Sequence, residues 1–444
     1  MSLFANWGNI GKLPELRRRI IFTLVMLGAY RMGMFVMIPG VDRKVVGEVV
    51  RNSSSGFQSL MNLLSGGAVE RASVFTLSIT PYITASIILQ LLGMVFKPLE
   101  ELRKEGEAGY RKINQYTRYG ALLIAFGYAI NKARELEAMT QNDLGVGSRH
   151  AVGDPGWSFR ITTVITLVTG VAIMMWIGEQ ITECGIGNGT SLLIFAGIVD
   201  GVPNAVFQYF QTKKGDLQPL NLALIGAVVL ATVAVIVFFE RGQRRIPIYY
   251  ARRTVGRRVY GGQESYLPIR VNTAGTIGPI FASSLIAFPA QFGAWFPNFP
   301  GINSVTSAVQ RGDWAFNSVY ILLIVFFCFF YTSVTFQTVE VADSLKKQQA
   351  FIPSVRQGKS TAEYIEFVLN RVTAGGALYV AAVCVIPTVL SQSLRIPFQW
   401  GGTSIMIVVG VALDTVNQIE AQSKRYDGVT SGANRARISG RRAG

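Results

Sequence analysis

Ten apolar segments punctuate the chain, at roughly 20–38, 74–96, 119–133, 161–177, 190–210, 220–239, 277–296, 319–339, 372–390 and 402–416. About twenty apolar residues in helical form cover the hydrocarbon core of a bilayer, so each segment is a candidate span, the third and tenth being short. Between the first two the pattern changes. Residues 57–68 place Phe57, Leu60, Met61, Leu63 and Leu64 in the spacing of a short amphipathic helix that Gly66 and Gly67 end. About twelve residues cannot cross a bilayer. The segment after it is long enough but carries Ser78, Thr80, Thr84, Ser86 and Gln90, so one face wants other helices or water rather than lipid. Two arrangements fit. The short piece is a half-helix folded back beside a full helix, with irregular backbone at membrane depth lining a cavity or buried in protein. Alternatively, it lies on the membrane surface and the hydroxyls are ordinary packing groups.

Composition agrees with the pattern. Of 444 residues half are apolar and 15% charged, and the mean hydropathy is +0.35, which places the chain among all-α polytopic membrane proteins. The net charge of +16 then needs a location. If ten spans alternate, the side holding the N-terminus carries 29 of the 42 basic residues and the other side 12, with Arg31 inside the first span. By the positive-inside rule both termini are cytoplasmic. A pI near 9.9 suits nucleic acid too, but a soluble nucleic-acid domain would not be this apolar. Arg17, Arg18 and Arg19 precede the first segment as in a signal peptide, yet the apolar run is too long and no small-residue cleavage site follows, so it reads as a retained span. Cys184, Cys328 and Cys384 are not at metal-ligand spacing, and the single histidine, His150, lies in a polar loop.

Two loops are too long and too charged for connectors. Residues 240–270, ERGQRRIPIYYARRTVGRRVYGGQESYLPIR, interleave eight arginines with Tyr249, Tyr250, Tyr260 and Tyr266 around a glycine pair, the pattern of a protruding hairpin. Its rings and guanidinium groups suit a protein or ribosomal RNA surface; they also suit a basic loop held at the anionic inner leaflet. In 343–371, Pro353 and Gly358 bracket Arg356, a docking point or a solvated turn residue. Arg31, Glu340 and Asp414 are ionisable residues within or near spans and so functional candidates by default, although the last two lie close enough to span ends to reach water. The paired mid-membrane carboxylates of a coupled transporter are not found. Ile79, Ile83 and Ile87 repeat every four residues near Pro81, Ile194 sits in GNGTSLLIFAG, and Ile280 follows Gly278 and Pro279. Isoleucine is ordinarily core or lipid-facing, but several converging on one axis would make an apolar constriction. The GIGNG run at 185–189 lacks the lysine and hydroxyl of a phosphate-binding loop and reads as a turn.

The ordered runs LSGGAVERASVFTLSITPYITASIILQLL, GEAGYRKINQYTRYG, GIGNGTSLLIFAGIV, ERGQRRIPIYYARRTVGRRVYGGQESYLPIRVN, FASSLIAFP, FCFFYT and GGTSIMIVV extend over nearly the whole chain and resemble the bacterial SecY family of protein-conducting channels. The resemblance implies two inverted, pseudo-symmetric halves of five helices around an hourglass pore, at 1–210 and 211–424, followed by a cytoplasmic tail at 425–444. It implies a plug at about 57–73, including Phe57, Leu60, Met61, Leu63, Leu64, Gly66 and Gly67, and a pore ring of Ile83, Ile87, Ile194, Ile280 and Ile407. It implies a lateral gate carrying Thr84, Ser86, Gln90, Phe281 and Phe288, where the second and third spans face the seventh and eighth. The loops at about 240–272 and 340–371 would dock a SecA motor or a ribosome through Arg244, Arg245, Arg252, Arg253, Arg257, Arg258 and Arg356.

Further partners implied are SecE, SecG, accessory insertases, signal sequences, unfolded polypeptides, membrane lipid and ribosomal RNA. The implied setting is the bacterial cytoplasmic membrane. No cofactor, metal or catalytic residue is implied, because the partner supplies the energy. The chain departs from the family pattern at TAGTIGPIFA, where the proline falls one residue late and loosens the register behind Ile280, and at Thr190 and Leu192, where isoleucines are frequent. The polar loop 135–157 acquires no role. A secondary transporter for a small solute is the reading from another class, and it predicts a discrete polar site at the midplane instead of an isoleucine waist.

Overall fold

The computed structural model describes residues 14–52, 66–139, 150–212, 219–250, 253–255, 258–260, 264–295, 314–393 and 402–440. In chain order the elements are α1 (Pro14–Gly33), α2 (Arg43–Asn52), α3 (Thr80–Val95), α4 (Lys97–Lys104), α5 (Glu107–Ala138), α6 (Trp157–Cys184), α7 (Gly189–Thr212) and α8 (Pro219–Arg241). There follow β1 (Gln243–Tyr250), β2 (Arg253–Val255), β3 (Arg258–Tyr260), β4 (Glu264–Arg270), α9 (Ile277–Trp295), α10 (Trp314–Thr335), α11 (Thr338–Lys347), β5 (Ala350–Phe351), α12 (Lys359–Ser393) and α13 (Gly402–Gly440). A helix lies on each of the ten apolar segments. Among the described residues four stretches are long and apolar enough to cross a bilayer: Trp157–Cys184, Asn317–Lys347, Lys359–Pro387 and Gly402–Ser423. A fifth is added if α3 and α4, bent by 100° at Phe96, are taken together.

Several boundaries differ from the hydropathy reading. The first helix stops at Gly33 rather than 38, and after a turn at 34–35 Met37 is bridged to Ser73. The second helix begins at Thr80 rather than 74, because Ser78 is left-handed (φ 53°) and Pro81 fits only the first turn. The third is far longer than its apolar stretch. Its polar first turns continue the helix beyond the apolar stretch, helped by an Arg111–Glu107 pair one turn apart at 2.8 Å. The eighth breaks after Thr335, and the last runs on to Gly440.

The chain divides into two compact units, Met1–Gln208 with Ala287–Gln310 and Val411–Gly444, and Tyr209–Ile286 with Arg311–Gly410. In the first, α5 packs along α3 and α6, and α1 lies on α6. Ala85, Ala121 and Ala125 meet Val171 and Met175 at the three-helix contact, where small side chains let backbones approach. A second cluster gathers Val45, Val46 and Val50 of α2 with Leu136 of α5 and Phe159 and Leu167 of α6. There Glu137 accepts from Arg160 at 2.7 Å and from the Gly156 amide at 3.2 Å, and the guanidinium holds its carboxyl below the usual carboxylate range.

In the second unit α10 and α11 pack on α12, and α8 meets α12 through Phe239 stacked on Tyr379 at 4.3 Å. The Tyr320 and Thr403 hydroxyls, 2.8 Å apart, join α10 to the start of α13. Buried Gly376 of α12 sits against the Val271 carbonyl at the foot of the β1–β4 hairpin, where any Cβ would overlap that oxygen, whereas neighbouring Gly375 faces open space. Gly376→Val should therefore cost about 1–3 kcal/mol. Thermal unfolding in detergent checks this, with a lowered midpoint expected for Gly376→Val and an unchanged or slightly raised one for Gly375→Ala.

Candidate functional site

Residues 66–79 are turns rather than helix, and their polar backbone is supplied from inside the protein. The Ile38 amide donates to the Ala72 carbonyl at 2.9 Å, and the Val74 amide to the Val36 carbonyl at 3.0 Å, so the segment runs as a partner to the chain leaving α1. Fully buried Ser73 accepts from the Phe75 amide at 3.2 Å and donates to the Gly33 carbonyl. The Thr76 hydroxyl reaches the Ser73 carbonyl at 2.5 Å and the Ala68 carbonyl at 3.2 Å. Gly66 (φ 65°) and Gly67 (φ 77°) are left-handed, and a Cβ on Gly66 would stand 2.8 Å from the Gly197 backbone of α7. On the other side Gly170 of α6 leaves just enough room for the Val74 carbonyl. Thus α1, α6 and α7 enclose the segment. Phe57, Leu60, Met61, Leu63 and Leu64 lie outside the described residues.

A charge cluster braces this region. Arg31 at the end of α1 pairs with Asp200 of α7, and Arg71 of the 66–79 segment approaches the same carboxylate oxygen at 3.6 Å. Both guanidinium groups lie 5.2 Å from the centre of the Phe35 ring. Arg31 was a candidate from sequence; Asp200 and Arg71 were not. A lone aspartate inside the fifth apolar segment was the signal available for Asp200. By contrast Glu340 and Asp414 are exposed.

Of the isoleucines singled out, Ile83 (half-buried) and Ile87 (buried) stand one turn apart on α3, and Ile194 is buried on α7. These three belong to the first unit. Ile280, half-buried, lies in the first turn of α9 just after Pro279, and Ile407 is buried on α13. In that second unit Thr276, one turn before Ile280, packs against Gly410, which has no side chain to block it.

On the polar face of α3, Thr84 donates to the Thr80 carbonyl at 3.0 Å and Gln90 to Ser86 at 3.1 Å, while the buried Gln90 Oε1 has no partner among the described residues. Buried Phe281 of α9 meets Phe327 and Tyr331 of α10 edge-on at 5.7 and 6.5 Å. Phe288 lies on α9, with its side chain outside those described.

The basic loop is a hairpin, as its residue pattern predicts. β1 and β4 pair antiparallel from Gln243↔Arg270 to Tyr249↔Glu264, and a second tier pairs Arg253↔Tyr260 to Val255↔Arg258. β5 adds to the outer edge of β1 through Tyr249↔Phe351 and Tyr250↔Ala350, which brings the two long loops together. The strand alternation puts Ile246, Ile248 and Ile269 inward on Leu345 of α11 and Ile365 and Leu369 of α12. Arg244, Arg245 and Arg356 are exposed. Arg253 and Arg258 take their places in β2 and β3, while Arg252 and Arg257 lie outside the described residues. At the base, Asn272 donates to Glu240 at 2.6 Å and to the Gly275 carbonyl at 3.1 Å.

The GIGNG run is a turn whose amides are already engaged. Those of Ile186, Gly187 and Gly189 donate to Thr23, Gln418 and Thr182 at 3.0, 2.9 and 2.9 Å. Asn188 caps α7 by accepting from the Thr190 and Ser191 amides at 3.1 and 3.3 Å. These contacts leave the run no cradle of free amides for a phosphate.

Residues 73–416 match the SecY protein family. The chain is 45% identical over 430 residues to the protein translocase subunit SecY of Escherichia coli strain K12, covering 96% of each, and 45% identical over 417 residues to that of Rickettsia bellii, covering 93% of this chain and 95% of the relative. Among solved structures it is similar to a protein-conducting channel, with TM-score 0.62, 17% identity and coverage of 94% of this chain and 96% of the other. It is also similar to Sec61 in a canine ribosome–channel complex, with TM-score 0.58, 16% identity and the same coverages. On this similarity along almost its entire length, the chain belongs to the SecY family.

Proposed function

We propose that this chain forms the conduit through which unfolded secretory polypeptides cross a bacterial cytoplasmic membrane, and from which apolar segments pass sideways into lipid. The observation that carries this reading is the junction at residues 66–87. An irregular segment, hydrogen-bonded internally and enclosed by three helices, leads straight into a helix with Ile83 and Ile87 on one face. Irregular backbone of this kind belongs beside a cavity or within protein, not against lipid. The names of the relatives, translocase subunit and protein-conducting channel, point the same way.

In this reading Ile83, Ile87, Ile194, Ile280 and Ile407 make an apolar waist that dewets and excludes ions when no chain occupies it. The segment at about 57–73 plugs it from outside. The two halves, 1–210 and 211–424, are each five spans, with both termini cytoplasmic. A signal sequence intercalates beside Thr84, Ser86, Gln90, Phe281 and Phe288, gaining ~0.8 kcal/mol per methylene moved into lipid. That gain shifts the channel toward its open population. Directional energy comes from a SecA motor or a translating ribosome seated on the arginine-bearing hairpin platform. One solved neighbour is a ribosome–channel complex, which supports a ribosome as one such partner. SecE, SecG and accessory insertases complete the assembly.

Replacing Ile83 and Ile87 with asparagine should raise ion conductance of the reconstituted channel several-fold and let weakened signal sequences through. Unchanged conductance and unchanged selection would remove the waist from the proposal. Reversing Arg244, Arg245 and Arg356 together to glutamate should weaken binding of SecA or ribosomes about tenfold, ~1.4 kcal/mol. Titration of the complex at low and moderate salt measures it, and wild-type affinity would discard the platform as the docking surface.

A further inference from the structure

The Asp200 carboxylate lies where two helices of the proposed waist are joined. It stands on α7, which carries Ile194, and it binds Arg71 of the segment that leads into α3, which carries Ile83 and Ile87. The Asp200 and Arg71 side chains are only 19% and 16% exposed. A charge so little hydrated is tolerated when paired and strongly destabilising when its partner is removed. Arg31 and Arg71 share the Asp200 carboxylate and crowd the face of Phe35, with Glu70 and Arg43 also in the field of Arg71. Buried Nη1 of Arg71 finds no other acceptor among the described residues.

The segment between Arg71 and α3 is not slack. Ser73 and Thr76 hydroxyls, the Met37↔Ser73 bridge and the Val74 contact with Gly170 make it one stiff piece. A displacement of Arg71 is therefore passed to the start of α3. Without the carboxylate, Arg31 and Arg71 repel each other and push apart the end of α1 and this stiff piece.

We infer that Asp200 is a positioning residue for the waist: its tie to Arg71 holds the entry of α3 against α7, and the strength of that tie sets how strong a signal sequence must be to open the channel. The inference rests on the channel reading above. Asp200→Asn, Arg71→Gln and the double variant are to be compared with wild type for export of two reporters, one with an intact signal sequence and one with a shortened apolar core.

Each single variant should export the shortened reporter at least about fivefold more than wild type, the lower end of site-to-site coupling effects. Export of the intact reporter should stay unchanged, and the double variant should be no more permissive than either single one. Asp200→Glu, which keeps the charge, should restore wild-type stringency. Wild-type stringency in both single variants overturns the inference, as does an equal fall in both reporters, which marks a merely structural tie. Failure of the unaltered channel to export the intact reporter would instead count against the channel reading itself.

Discussion

A backbone amide or carbonyl at membrane depth must find its partner inside the protein, because hydrocarbon offers none and each unmet group costs several kcal/mol. Most of this chain meets that constraint by being helical. Residues 66–79 meet it differently, through a bridge to the chain leaving α1 and through two buried hydroxyls that cap carbonyls and amides at close range. The glycines around them follow from the same constraint. Gly170 and Gly197 bring α6 and α7 close enough to shield the turns, and a methyl group at the first, or on Gly66 against the second, would collide with backbone. The start of α3 is therefore set by its surroundings, and the isoleucine face that follows inherits that placement.

Charge is handled by the same economy of solvation. Among the arginines whose side chains are described most are exposed, and Arg244, Arg245 and Arg356 stand on a platform whose inward face is aliphatic. Arg31 and Arg71 are less hydrated, held near apolar helices by Asp200 and the Phe35 ring. Buried ion pairs add little net stability compared with apolar packing. What such a cluster supplies is position: it fixes where the end of α1 and the 66–79 segment stand against α7.

How much of this was legible follows from which forces are local. Apolar length is local, and a helix lies on every segment it marked, though several ends are shifted. Strand alternation with a glycine pair is local, and the hairpin lies where that pattern put it, with Ile246 and Ile248 inward and Arg244 and Arg245 exposed. The start of α3 was misjudged because hydropathy counts Val74, Phe75 and Leu77 as span and cannot register that Ser73 and Thr76 bind the backbone into turns. Asp200 was passed over as one polar residue in a long apolar run, and its partner Arg71 follows a glycine pair far earlier in the chain. Strand β5, two residues long, has no pattern of its own and exists through its pairing with Tyr249 and Tyr250.

The hairpin platform shows how a surface loop becomes a mechanical part. Its strands are continuous with α8 through the Val271–Gly242 hydrogen bond of 3.0 Å, and Asn272 ties Glu240 to the turn before α9. Gly376 lets α12 close on the same turn, and β5 connects the sheet to α11 and α12. A load applied to the exposed arginines is thus borne by four helices rather than by a flexible connector. A tether that merely recruited a partner would need none of this bracing. In the proposed reading, that bracing suits a surface that must carry a partner's push to the helices beneath it, and not only hold the partner nearby.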